Sequence, residues 1–189
     1  MFTHRIDDDR WLRMPEDSDA EELYELTAGN REMLAEWMPW AAGATPETTG
    51  EFIRLRRLEF ARNGSFSAVI VERDRIVGSI GFPELSRENR SCEIGYWLAR
   101  SAQGRGTITL AVRALVEHAF GVWKLHRIVI KAGVGNARSR AVPERLGFTL
   151  EGVLRQAERH PDGRYVDLAV YGLLASEWPG ALDADGARG

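Results

Sequence analysis

The sequence predicts an α/β protein of the α+β kind: a mixed, mostly antiparallel, twisted sheet of about six to seven strands flanked by helices. Three observations carry that expectation. Short runs rich in β-branched residues, separated by a tight polar turn, begin just past residue 64 and read as a hairpin. Apolar residues at helical spacing occur before that hairpin and again after it. Strands and helices then alternate toward the C-terminus, which implies a mixed sheet with helices packed on it.

The elements follow in order. SDAEELYEL opens with Ser18 and has Glu21 three residues on, the pattern of a capping box, with Leu23 and Leu26 facing inward. Helical pattern resumes around NREMLAEW. A third helix starts at Thr45-Pro46, with proline at the first helical position, and runs to about Arg62. SFSAVIVE and RIVGSIGF form the hairpin around Arg73-Asp74, and CEIGYWLA is a further strand. From Gly106 to Phe120, Ile108, Val112, Leu115, Val116 and Ala119 fall on one helical stripe. RIVIKA is a strand, Asn136 to Leu146 a short helix, and FTLEGVLRQ a strand. HPDGR turns into YVDLAVYGLL, with Val166, Leu168 and Val170 on one face.

Composition sets the class. The 189 residues suit one domain over 1–178, with PGALDADGARG (179–189) as a loose polar tail. Twenty-five Lys and Arg against 28 Asp and Glu leave a net charge of −3, which argues against a nucleic-acid partner. A single cysteine, Cys92, excludes an internal disulfide and any multi-cysteine metal site, and no histidine pair has ligand spacing, so no metal is expected. MFTHRIDDDR lacks the apolar core of a signal peptide and no stretch reaches membrane-spanning length, so a cytoplasmic protein without a membrane partner is expected.

The most informative stretch is AQGRGTITLAV, from Ala102 to Val112. It places Gly104 and Gly106 around Arg105 where a strand and turn give way to the clearest helix. Backbone N–H groups at a helix start lack partners inside the helix, and the peptide dipoles add partial positive charge there. Glycines admit a ligand to that backbone and Arg105 adds a cation, so the segment suits a phosphate or diphosphate; a plain tight turn is the alternative. No Gly-Lys-Ser/Thr triplet makes it a P-loop. GVGNAR, from Gly133, matches a dinucleotide fingerprint poorly, because Arg138 stands at its third glycine position.

Taken in order, Gln103-Gly104-Arg105-Gly106, Asn136-Ala137-Arg138-Ser139 and Arg145-Leu146-Gly147-Phe148 resemble the GNAT superfamily of N-acetyltransferases. EWMPW, TLEGVLRQAE and DLAVYGLLASEW extend the resemblance to the ribosomal-protein (RimJ/RimL-type) branch, from about Leu12 to Trp178. The resemblance implies the GNAT fold and acetyl transfer from acetyl-CoA to an amine. It implies that Gln103, Gly104, Arg105, Gly106, Thr107 and Ile108 hold the diphosphate. Backbone amides through Tyr96, Trp97 and Leu98 would bind the pantetheine arm and thioester carbonyl, with Asn136 as a side-chain contact. Glu158, of the Gln-Ala-Glu triplet, would be the general base, and Ser139 would hydrogen-bond the departing sulfur as the acid.

The residues leave alternatives. Ser139 stands in a first helical turn, where serine is common for local reasons, and Glu158 also reads as a solvated strand-end charge. Pro143 occupies the place where many superfamily members carry a tyrosine acid, and it frees the carbonyl of Ser139. Trp37, Met38 and Trp40 are candidates for an acceptor wall, or for helix packing. The acceptor implied is the N-terminal α-amine of a protein. A small-molecule amine and a non-catalytic CoA-binding regulatory module are the other readings. The resembling branch is often dimeric, so a homodimer is one expected assembly.

Overall fold

The computed structural model describes residues 3–62 and 64–179; the expected tail, apart from Pro179, lies outside them. In chain order the elements are β1 (Thr3–Arg5), β2 (Arg10–Arg13), α1 (Ala20–Gly29), α2 (Arg31–Ala35), α3 (Pro46–Ala61), β3 (Phe66–Glu72), β4 (Arg75–Ser86), β5 (Ser91–Leu98), α4 (Thr107–Gly121), β6 (Arg127–Gly133), α5 (Ala137–Arg145), β7 (Thr149–Arg159) and β8 (Tyr165–Leu174). The strands form one sheet in the order β1-β2-β3-β4-β5-β6-β8-β7, antiparallel except where β5 meets β6. The sheet therefore has eight strands among the described residues, more than the six to seven expected. The surplus is N-terminal, where THR and RWLR are too short and too charged to show a period of two.

Two helix starts separate local from tertiary control. Thr45 caps α3 as expected, its hydroxyl accepting the Thr48 N–H at 3.2 Å with Pro46 at the first position. Ser18 does not cap α1. It lies in a 3-10 turn, Asp17–Asp19, and the reciprocal pair is Glu16 with Asp19, whose carboxylate accepts the Glu16 N–H at 2.7 Å. Arg13 of β2 grips the same carboxylate at 2.5 and 2.8 Å. A charge from outside the segment thus decides where the helix begins.

One face of the sheet carries α4, which buries Ala111, Val112, Leu115, Val116, Ala119 and Phe120 against Leu12, Phe66, Ile80, Phe82, Ile94, Ile128 and Tyr171. The helical stripe read from the sequence is this contact, and Leu115→Ala would cost about 2–5 kcal/mol. On the opposite face α1 and α3 cover only the β2–β5 side, through Leu23, Ile53, Val69, Val71 and Ile76. In β8 Ala169, Tyr171 and Leu173 are buried on one face, while Val166, Leu168 and Val170 share the other, as expected, and stay half-exposed. The face they line, across β6, β8 and β7, is open.

Two irregularities shape that sheet. The parallel pairing of β5 with β6 stops at Glu93↔Val129, so Ile94–Leu98 and the rest of β6 diverge into a wedge. On β7 the register slips between Leu154↔Leu168 and Glu158↔Val166, so four steps on β7 match two on β8. Gln156 within that bulge holds φ 52°, the left-handed region that side chains rarely adopt.

Candidate active site

The elbow lies where β5 ends and α4 begins. Gly104 and Gly106 have φ of 80° and 74°, backbone that only glycine adopts without strain, and residues 104–106 are exposed. The first helical bond is Leu110 N–H to the Gly106 carbonyl. Among the described residues no backbone N–H from Gly104 through Thr109 finds an acceptor. Consecutive free amides at the positive end of a long helix suit a diphosphate.

The charge around the elbow departs from expectation. Arg105 is not a free cation: it pairs with Glu72 at 2.9 Å and donates to the Ser101 carbonyl. Arg10 reaches in from β2 to the Thr107 hydroxyl at 3.0 Å and the Arg105 carbonyl at 3.2 Å, but it is itself tied to Asp7. Two arginines from α5 hold no carboxylate among the described residues. Arg145 donates to the Thr109 hydroxyl in the first turn of α4 (3.1 Å), and Arg138 donates to the Gln103 side-chain carbonyl (2.9 Å). Gln103 donates in turn to the Leu98 carbonyl at 3.1 Å, joining the elbow to the end of β5. Arg138 and Arg145 stand in the family motifs, but their contact with the elbow has no sequence signal because it is made by tertiary packing.

Ser139 meets both Asn136 and Tyr96. Asn136 caps α5, its Oδ1 accepting the Ser139 N–H at 3.1 Å, while its amide nitrogen makes no hydrogen bond among the described residues. The Tyr96 hydroxyl donates to the Ser139 carbonyl at 3.0 Å and lies 3.4 Å from the Ser139 hydroxyl. Burial pushes the Tyr96 phenol up to about 12. Trp97, next along β5, faces the other side of the sheet, where its ring centroid is 6.1 Å from that of Trp40.

Glu158 lies on β7, the outer strand of the sheet beyond β8. Its register partner is Val166, whose side chain lies beside Gly133. The Trp37 ring covers Gly133 so closely that a Cβ there would lie 2.7 Å from ring carbon Cε3, and one on Gly135 3.1 Å from Cη2. The glycines of GVGNAR are therefore a seat for Trp37. Asp167 anchors the β7 bulge by accepting the Gln156 N–H at 2.7 Å, which fixes the segment that presents Glu158. Arg164 of the β7–β8 turn donates to the Glu36 carbonyl at 2.7 Å and holds the Trp37 segment to the hairpin. Arg31 donates to the carbonyls of Ala42 (2.8 Å) and Ala44 (3.0 Å), fixing the turn that carries Met38 and Trp40. Glu93 is paired with Lys131 and Glu151 with Arg127, whereas Glu158 forms no ion pair or hydrogen bond among the described residues. Ser139 and Glu158 do not touch directly. Cys92 is buried with its thiol pushed up to about 12, an inert group.

Comparison with known proteins identifies the family and the fold. The acetyltransferase (GNAT) domain profile matches residues 10–149. A putative ribosomal N-acetyltransferase, YdaF, of Bacillus subtilis (strain 168) is 37% identical over 182 residues, covering 95% of this chain and 99% of that protein. The ribosomal-protein-serine acetyltransferase of Escherichia coli (strain K12) is 35% identical over 153 residues, 80% of this chain and 85% of that one. Among solved structures, RimL, a ribosomal L7/L12 α-N-protein acetyltransferase in complex with coenzyme A, superimposes with a TM-score of 0.87 at 28% identity, covering 92% of this chain and 98% of that one. The microcin C7 self-immunity acetyltransferase MccE, in complex with acetyl-CoA and AMP, gives 0.84 at 32% identity, covering 89% and 94%. With the profile matching well over half its length, the chain belongs to the GNAT family of N-acetyltransferases.

Proposed function

We propose that this enzyme moves the acetyl group of acetyl-CoA directly to the N-terminal α-amine of a protein, a ribosomal one by its relatives' names. The observation that carries the reading is the run of unpaired amides from Gly104 through Thr109 at the mouth of the wedge between β5 and β6. Those amides take the diphosphate, with Arg138 and Arg145 supplying the cationic charge that Arg105 spends on Glu72. The edge of β5 from Tyr96 to Leu98, free of β6, offers backbone groups to the pantetheine arm and the thioester carbonyl. Asn136 adds its free amide nitrogen.

Glu158, without an ion pair among the described residues, takes the proton of the attacking amine, directly or through a water. Ser139 hydrogen-bonds the departing sulfur from the opposite face. Trp37, Met38 and Trp40 line the acceptor side, where the aromatic pair Trp40–Trp97 offers surface to a peptide. An α-amine with pKa near about 8 is partly neutral at physiological pH, which a lysine near about 10 is not. That difference favours a chain terminus over a side chain.

The likeness to MccE, solved with acetyl-CoA and AMP, favours a small-molecule amine as the second reading. A thiol-release assay with acetyl-CoA across N-terminal peptides of ribosomal proteins and a panel of small amines separates the two. Turnover of peptides well above every small amine is the expected result. Turnover confined to small amines would reverse the assignment.

A further inference from the structure

Pro143 poses a problem inside α5. In a regular helix the N–H of residue 143 would donate to the carbonyl of Ser139, and proline has none to give. Helix α5 nevertheless continues through Pro143 to Arg145, with Val142 and Pro143 both buried. A half-buried carbonyl left without a donor costs about 1–3 kcal/mol and lets the first turn move. The residue whose carbonyl loses its donor is Ser139, to which the proposed function gives the hydrogen bond to the leaving sulfur.

The structure supplies a substitute donor from another element. Tyr96 points from β5 toward α5, packed against the same core as Cys92, Ile94 and Leu98. Its hydroxyl donates to the Ser139 carbonyl at 3.0 Å, and its oxygen lies 3.4 Å from the Ser139 hydroxyl, so one phenol touches both polar groups of that serine. Asn136 fixes the third by accepting the Ser139 N–H. The carbonyl, amide and hydroxyl of Ser139 are thus each held, and two of the three holds come from Tyr96.

We propose that Tyr96 is a positioning residue for acetyl transfer: its hydroxyl replaces the helix hydrogen bond that Pro143 removes and thereby aims the Ser139 hydroxyl at the leaving sulfur. The inference rests on the role given to Ser139 above. Tyr96 stays protonated throughout the working pH range, consistent with its raised pKa, because a phenolate has no proton to donate to the carbonyl. Tyrosine and proline act as a matched pair. A backbone N–H at 143 would make the phenol dispensable, and a phenol at 96 makes the proline tolerable.

A double-mutant cycle tests the pairing. Tyr96→Phe in the natural background is expected to lower kcat by about tenfold or more, with the acetyl-CoA Kd within about twofold of the parent. In the Pro143→Ala background, where residue 143 donates to the Ser139 carbonyl, the same change is expected to cost less than about threefold. Equal losses in both backgrounds would overturn the proposal, as would a loss carried by acetyl-CoA binding alone. Ser139→Ala is measured beside them: wild-type kcat in that variant would reject the acid role, while the coupling between Tyr96→Phe and Pro143→Ala in thermal stability still reports the exchange of hydrogen bonds. If Pro143→Ala does not fold, the Ser139 carbonyl 13C resonance gives the answer. It is expected to shift upfield in Tyr96→Phe, and an unmoved resonance contradicts the proposed hydrogen bond.

Discussion

The elbow and the Glu158 side of the site are built by different means. Gly104–Thr109 is a local construction: two glycines with positive φ and a helix start leave amides unpaired whatever surrounds them. The Glu158 side is assembled from distant segments. Trp37 needs Gly133 and Gly135, Glu36 needs Arg164, and the bulge before Glu158 needs Asp167. A site made of backbone is set by a few residues in a row, whereas a site made of side chains depends on every clamp that holds it. Substitutions on the second side should therefore change turnover and acceptor use while leaving cofactor affinity alone.

The largest expected effect tests that separation at its centre. Glu158→Gln should lower kcat by about 100-fold or more through loss of the base, with coenzyme A affinity by calorimetry unchanged. Equal loss of binding and turnover would erase the distinction between the two sides. Next, Asp167→Ala removes the acceptor of the Gln156 N–H and releases the bulge; kcat should fall about tenfold, again without a change in coenzyme A binding. Gly133→Val drives a side chain into the Trp37 ring. The KM for the acceptor should rise about tenfold while that for acetyl-CoA holds.

The smallest effect sharpens the cofactor side. Arg145→Gln should weaken coenzyme A binding about fivefold, and more at low salt than at high, because Arg145 has no carboxylate partner among the described residues. Arg105→Gln should weaken it less, since Glu72 already neutralises that guanidinium. The reverse ranking would restore the sequence-based assignment of the charge to Arg105.

What the sequence made legible follows the same division. The Gly106–Phe120 stripe became α4 at Thr107–Gly121 because its period of 3.6 is a property of the segment itself. Thr45-Pro46 started α3 for the same reason. The Ser18 cap failed because Arg13, on another element, holds Asp19. In β8 one alternation carries Val166, Leu168 and Val170 and the other Asp167, Ala169, Tyr171 and Leu173, so nothing local chose Tyr171 and Leu173 for the buried face. On the site, the resemblance supplied Ser139 and Glu158, but not Tyr96 as the partner of the Ser139 carbonyl. A hydrogen bond across 43 positions leaves no trace in spacing. Asp167 was invisible too, since glutamine at a left-handed position is no turn signal.

The unpaired amides at the start of α4 bear the whole account, and co-crystallisation with acetyl-CoA addresses them most directly. The diphosphate should lie against the backbone N–H groups from Gly104 to Thr109, with the pantetheine arm running into the gap where β5 leaves β6. A diphosphate seated away from that backbone, with those amides left to solvent, would contradict it.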